Sequence, residues 1–396
     1  MKLAFVVQRY GADIAGGSEA HCRELAERLA ARHDITVLTT CARDYVTWQN
    51  ALPPGISVQR GVCVARFPVS RQRQVKSFAD VSDEVFSTPA PRERQEAWFH
   101  ENGPDAPALI DHLRAHGATY DAVLFWTFRY APSYFGLPLV ADRAILLPTA
   151  EEDAAIGLEV LEEYFRKPAG FLFLTPEEET LVTTRAGRPL QPSATIGMGV
   201  DPAGAVASRT LLDGLSIPDR YVLYLGRVDR NKGCTTLLTY FQEYAAEAPT
   251  ATLVLAGPAN IRVPEHPRIR ALGYVSDEVR AALLGHADAI VVPSPFESLS
   301  IVLLEAWNHA VPALVNGRCK VLAGQVRRAN GGLYYRSALE FREALTHLLA
   351  RAELRTALGR QGLAYVEREY RWPTVLARVE GVLAAVAAAG SGRKVP

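Results

Sequence analysis

Short apolar runs alternate with longer amphipathic stretches along the whole chain. They fall at residues 3–7, 35–39, 122–125, 144–147 and 171–174, and again at 221–224, 252–255, 289–292 and 313–315. Runs this short that are apolar on both faces read as strands of a parallel sheet. The amphipathic stretches between them read as the helices that cover it. Helix starts are legible in places. In Thr175-Pro176-Glu177-Glu178 a threonine N-cap, a proline at the first helical position and a glutamate three residues on form a capping box.

The alternation breaks over residues 192–215, which are rich in Gly, Pro, Ala and Ser, and then resumes. The break predicts two Rossmann-like α/β domains, 1–196 and 197–372. The last amphipathic segment, 373–390, has no strand after it and is expected to pack back on the first domain, with 391–396 a frayed tail. Residues 41–118 fit the alternation poorly, and a stretch that long without pattern is expected to be functional or disordered. It holds a basic run, Arg60, Arg66, Arg71, Arg73 and Lys76, read as a solvated face or else as a surface for an anionic acceptor or membrane.

Composition narrows the classes. In 396 residues, 43 basic side chains balance 43 acidic ones, so no global field favours nucleic acid or an anionic membrane. The five cysteines are scattered, without a C-x-x-C pair, which argues against a disulfide framework or zinc site and for a reducing, cytoplasmic setting. The opening residues lack signal-peptide character, and no run approaches the length of a spanning helix. No H-E-x-x-H or similar spacing exists, so no metal and no cofactor are expected. No G-x-S-x-G elbow supports a hydrolase triad. The aromatic cluster from Phe125 to Phe135 reads as core and wall, not as a base-stacking platform.

Candidate chemistry gathers at strand ends. Gly16 and Gly17 open the helix after the first strand, where backbone amides and the positive dipole end attract phosphate. The absence of G-x-G-x-x-G there disfavours a nicotinamide or flavin dehydrogenase. In the second half a strand runs into Gly226-Arg227-Val228-Asp229-Arg230-Asn231-Lys232-Gly233, where Arg227 and one of only six lysines could neutralise a diphosphate without a divalent ion. After the strand at 289–292 come Glu297, Ser298, Leu299, Ser300 and, about two helical turns in, Glu305. Carboxylates for sugar and ribose hydroxyls, beside helix amides for phosphate, suit a nucleotide sugar. A glutamate buried among Leu303, Leu304 and Ala306 would be costly unless it served a ligand.

Taken together, Gly16-Gly17-x-Glu19, Gly199-Val200-Asp201, Gly226-Arg227 with Lys232-Gly233, Gly273-Tyr274-Val275-Ser276-Asp277 and the pair Glu297/Glu305 occur in the order seen in the family-4 (GT4) retaining glycosyltransferases. The chain resembles that family along nearly its whole length. The resemblance implies the GT-B fold, two Rossmann-like domains facing each other across a cleft, and transfer of a sugar from a nucleoside-diphosphate sugar with retention and without a metal. It further implies that Arg227 and Lys232 hold the donor diphosphate, Glu305 the ribose, Glu297 the transferred sugar, and the backbone near Tyr274, Val275 and Ser276 the base. The expected partners are a nucleotide-sugar donor and a small-molecule or saccharide acceptor. The acceptor side departs from the family: where histidines are common, this chain has Trp126-Thr127-Phe128-Arg129 and Glu151-Glu152-Asp153. Thr127, Arg129, Glu151 and Glu152 are therefore candidate acceptor contacts. Alternatives are a nucleotide-sugar epimerase on the same fold and a catalytically silent nucleotide-sugar-binding partner.

Overall fold

The computed structural model describes residues 1–14, 16–87, 89–247 and 251–391; the expected frayed tail lies almost wholly outside them. The chain divides into two compact units, Met1–Gly197 with Leu376–Pro396, and Met198–Val375.

The first unit is built on an eight-stranded sheet of β1 (Lys2–Val6), β2 (Asp34–Thr40), β3 (Gly55–Gln59), β4 (Val62–Phe67), β5 (Ala122–Trp126), β6 (Ala144–Leu147), β7 (Gly170–Phe173) and β8 (Ser193–Thr195). The spatial order is β3-β4-β2-β1-β5-β6-β7-β8, parallel except for the β3–β4 hairpin. The second unit holds a six-stranded parallel sheet of β9 (Tyr221–Leu225), β10 (Thr252–Ala256), β11 (Ile269–Gly273), β12 (Ala289–Val292), β13 (Ala313–Asn316) and β14 (Gly332–Tyr335), ordered β11-β10-β9-β12-β13-β14. The central strands β1, β5, β9 and β12 are almost fully buried because helices cover both faces, which is why they read as unbroken apolar runs.

Several sequence expectations need correction. Residues 41–118 are ordered: they form β3, β4 and helices Val75–Ser87, Arg92–Asn102 and Pro107–His116. The pattern was hidden because β3 is an edge strand with Ile56 and Val58 exposed, and because helix Arg92–Asn102 buries polar Gln95 and Asn102 beside Trp98 and Phe99. The basic run is a solvated face only in part: Arg60, Arg71 and Lys76 are exposed, whereas Arg66 is buried and Arg73 half-buried. Arg73 donates to the Asn102 carbonyl and lies over the Trp48 and Phe78 rings at 4.9 and 4.6 Å, while Arg71 and Arg60 pair with Glu101 and Glu27. The interval 192–215 is not bare linker, since it contributes β8 and a short helix, Thr210–Asp213. Finally, one window within the helical stretch Ala352–Gly390 is long and apolar enough to cross a membrane by length and composition. In helix Trp372–Ser391, Val379, Val382, Leu383 and Val386 are buried, and Val382 and Val386 pack on Gly170 of β7. Burial along one face is the pattern of a helix packed on a globular core.

Candidate active site

In the second sheet β9 lies between β10 and β12, so the strand order reverses at β9 and the loops after β9 and β12 leave the carboxyl edge side by side. Such a switch point forms the ligand crevice of open α/β sheets. The loop after β9 is shaped by Asp229, which is buried, accepts the Lys232 backbone N–H at 2.8 Å and lies 3.6 Å from Arg227 Nε. The Tyr224 hydroxyl donates to the Arg227 carbonyl at 2.6 Å. Gly233 has φ 74°, and a Cβ there would sit 2.3 Å from the Pro293 carbonyl oxygen, so glycine lets the two loops touch. Across that contact Lys232 Nζ donates to Glu297 Oε1 at 2.8 Å, with the glutamate side chain 10% and the lysine 32% exposed.

Helix Ile301–Asn308 begins just beyond, with Ser300 at the N-cap and Leu299 buried before it. The Ser300 hydroxyl makes no cap bond and, among the described residues, has no partner. Glu305 lies in the second turn, somewhat nearer the helix start than its spacing from Glu297 suggests. Its charge is met by Arg280, whose Nη2 is 2.5 Å from Oε2. Burial raises the Glu305 carboxyl above its ordinary range and Arg280 draws it back down. Arg280 stands on helix Asp277–His286, whose N-cap Ser276 accepts the Val279 N–H at 3.3 Å. The segment Tyr274–Ser276 therefore links β11 to the helix that holds Glu305 in place, and Tyr274 is 86% exposed.

In the first unit Gly16 precedes helix Gly17–Leu29, and a Cβ on Gly16 would fall 2.2 Å from Glu19 Oε2. Glu19 is buried and accepts from Arg9 Nε at 2.9 Å and from the Ser18 hydroxyl at 2.8 Å, so its charge is balanced within the protein. At the end of β5 the Trp126 indole donates to His21 Nδ1 at 3.3 Å. Burial pushes His21 down to about 4, which keeps it a neutral acceptor. Thr127 is buried with φ 55°, its N–H held by the Leu147 carbonyl at 2.8 Å. Arg129 pairs with Asp153 at 3.1 Å; burial acts to lower its pKa, and Asp153 with Glu151 outweighs that effect. Arg129 Nη2 has no partner among the described residues. Glu151 is half-buried and Glu152 exposed.

Arg9, Asp229 and Arg280 escaped the sequence reading. In a chain whose cations are mostly arginine, only a named carboxylate partner distinguishes one arginine from another. Glu178 also does more than the capping box implies. Thr175 Oγ1 accepts its N–H at 3.2 Å, while its carboxylate accepts from Ala150 N–H at 2.6 Å and Leu174 N–H at 2.5 Å, tying the loops after β6 and β7 together. Burial raises its pKa to about 8. Among the described residues no group of three or more His, Cys, Asp or Glu side chains is arranged to hold a metal ion.

Residues 219–351, which carry Arg227, Lys232, Glu297 and Glu305, match the family model described as Glycosyl transferases group 1. The chain carries a group 1 glycosyltransferase domain and is a glycosyltransferase. It is 22% identical over 338 residues to the uncharacterized glycosyltransferase MJ1607 of Methanocaldococcus jannaschii, covering 80% of each. Its fold is similar to that of sucrose-phosphate synthase from Thermosynechococcus elongatus, with a TM-score of 0.75 at 19% identity over 98% of this chain and 99% of that one. It is similar also to Anabaena HepE, solved in complex with UDP-glucose, with a TM-score of 0.71 at 14% identity over 97% of this chain and 100% of that one. The glycosyltransferase thus has the GT-B type of fold, two parallel-sheet domains.

Proposed function

We propose that this glycosyltransferase moves a sugar from a nucleoside-diphosphate sugar to an acceptor hydroxyl with retention of anomeric configuration and without a metal ion. The observation that carries the reading is the Lys232–Glu297 pair, formed beside Arg227 at the switch point of the second sheet. An ammonium and a guanidinium on one loop meet the needs of a leaving diphosphate, and a carboxylate on the adjoining loop meets those of sugar hydroxyls. In the proposed step the bond from the anomeric carbon to the diphosphate oxygen breaks as the acceptor oxygen bonds to the same face. The acceptor's proton passes to the departing diphosphate, whose growing charge Arg227, Lys232 and the amides near Ser298–Ser300 stabilise. Glu305, oriented by Arg280, accepts ribose hydroxyls; Tyr274–Val275 lie along the base, and Gly16-Gly17 admit donor or acceptor close to the backbone. Thr127, Arg129, Glu151 and Glu152 are assigned to the acceptor. Because HepE is described with UDP-glucose, UDP-sugars are the first donors to test.

The test incubates the protein with UDP-, GDP-, ADP- and dTDP-sugars and an acceptor panel, with and without a chelator, and reads product anomers by NMR. Transfer with retention that survives chelation is expected. An inverted product, loss of activity on chelation, or isomerisation of the donor without acceptor would each defeat the proposal.

A further inference from the structure

Toward the β3 edge of the first unit, a cavity of about 370 Å³ opens between the loop after β1, the segment after β2 and the β3–β4 hairpin. Arginines reach it from three separate elements: Arg43 after β2, Arg60 in the hairpin turn and Arg66 on β4. Arg66 is 8% exposed and has no carboxylate partner among the described residues. Its Nη1 donates to Ser57 Oγ at 3.2 Å and its Nη2 to the Tyr10 carbonyl at 3.0 Å, while Nε has no partner. Tyr10, 1% exposed, also lines the cavity, and its hydroxyl has no partner among the described residues. The Arg43 guanidinium makes no ion pair or hydrogen bond among the described residues.

A guanidinium buried among neutral acceptors alone is a costly arrangement, and it stops being so when an anion occupies the space in front of it. Two carboxylates line the same cavity without supplying that anion. Glu27 is 3.2 Å from Arg60 and 3.9 Å from Arg23, and Asp13 is exposed. Burial both lowers the Arg66 pKa and raises that of Tyr10, so the tyrosine stays a protonated donor.

We propose that this cavity binds the phosphate monoester of a small organic molecule, with Arg43, Arg60, Arg66 and the Tyr10 hydroxyl as donors. A carboxylate would satisfy one guanidinium fork. Arg43 and Arg66, without carboxylate partners among the described residues, together with Arg60, which is shared with Glu27, present guanidinium donors from separate elements to a dianion with three acceptor oxygens. The cavity is larger than a phosphate group, and Ile14 and Leu52 leave an apolar wall for the organic part. None of its residues is one assigned above to the donor, although Tyr10–Ile14 share the loop after β1 with Gly16-Gly17, and its occupancy can be read with no nucleotide sugar present.

Calorimetry and thermal shift on the full chain compare inorganic phosphate, glucose 6-phosphate, glucose, and vesicles containing phosphatidic acid. At least one phosphorylated probe is expected to bind and raise the melting temperature, and glucose is not; the tightest of the three identifies the source as free ion, sugar phosphate or lipid headgroup. Arg43→Gln, at an exposed position, should leave the unliganded melting temperature unchanged and weaken binding about tenfold or more, as should Arg66→Gln where it folds. The proposal is overturned if no phosphorylated probe binds better than glucose. It is overturned equally if affinity is the same in Arg43→Gln as in the parent, which would place the phosphate elsewhere, on residues such as Arg227 and Lys232.

Discussion

Lys232 Nζ lies 2.8 Å from Glu297 Oε1, joining side chains 65 positions apart in the chain across the switch point between β9 and β12. The lysine keeps about a third of its side chain exposed, whereas the glutamate keeps only a tenth.

Replacing Lys232 with Ala removes the cation and leaves Glu297 largely buried without its ammonium partner. Transfer measured as kcat/KM should fall by about 100- to 1,000-fold, the loss of one charge-stabilising donor. A double-mutant cycle with Glu297→Gln should be strongly non-additive, because the two residues act on one ligand. Simple additivity would mean that the pair does not work as a unit.

Arg280 touches no assigned ligand group, yet it balances Glu305, whose carboxyl burial already raises. In Arg280→Ala the pKa rises further, and donor affinity measured by calorimetry should drop about tenfold near neutral pH. It should weaken further as pH is lowered from about 8 to about 6, since protonation removes the acceptor for ribose hydroxyls. An affinity insensitive to pH would argue against this positioning role.

Gly233→Ala places a methyl 2.3 Å from the Pro293 carbonyl oxygen at a left-handed φ of 74°. Destabilisation of about 1–3 kcal/mol is expected, read as a lower melting temperature, together with weaker donor binding because the two loops separate. Unchanged stability would show that the loop contact tolerates displacement.

Glu178 gives a pH dependence with a defined sign. Its folded pKa of about 8 lies above the ordinary carboxyl range near 4.5, so the folded protein binds the proton more tightly than the unfolded chain. Its stabilising contribution is complete below about pH 4.5, declines as pH rises, and is gone above about pH 8. Glu178→Gln should flatten that part of the stability curve in chemical denaturation. A variant with the parent's full pH dependence would assign the effect to other groups.

The alternating architecture was legible because central parallel strands are buried on both faces and leave unbroken apolar runs, as at 144–147 and 289–292, where the runs coincide with β6 and β12. The edge strands were not. β3 exposes Ile56 and Val58, β11 exposes Arg270 and Ala271, and β8 spans only Ser193–Thr195, so none carries that signature. Residues 41–118 failed for a related reason: their polar side chains, such as Arg73 and Asn102, make buried contacts that period counting scores as solvent.

By itself the sequence determined the fold class and marked Arg227, Lys232, Glu297 and Glu305 as candidates, since short-range spacing at strand ends is a local property that the chain writes out in order. Only the tertiary structure decided how those charges are balanced. The order β10-β9-β12 brings Lys232 to Glu297, helix Asp277–His286 brings Arg280 to Glu305, and the β3–β4 hairpin sets Arg66 into a cavity without a carboxylate partner among the described residues. Electrostatic energy depends on distance through space and on the surrounding dielectric, and neither is a function of separation along the chain.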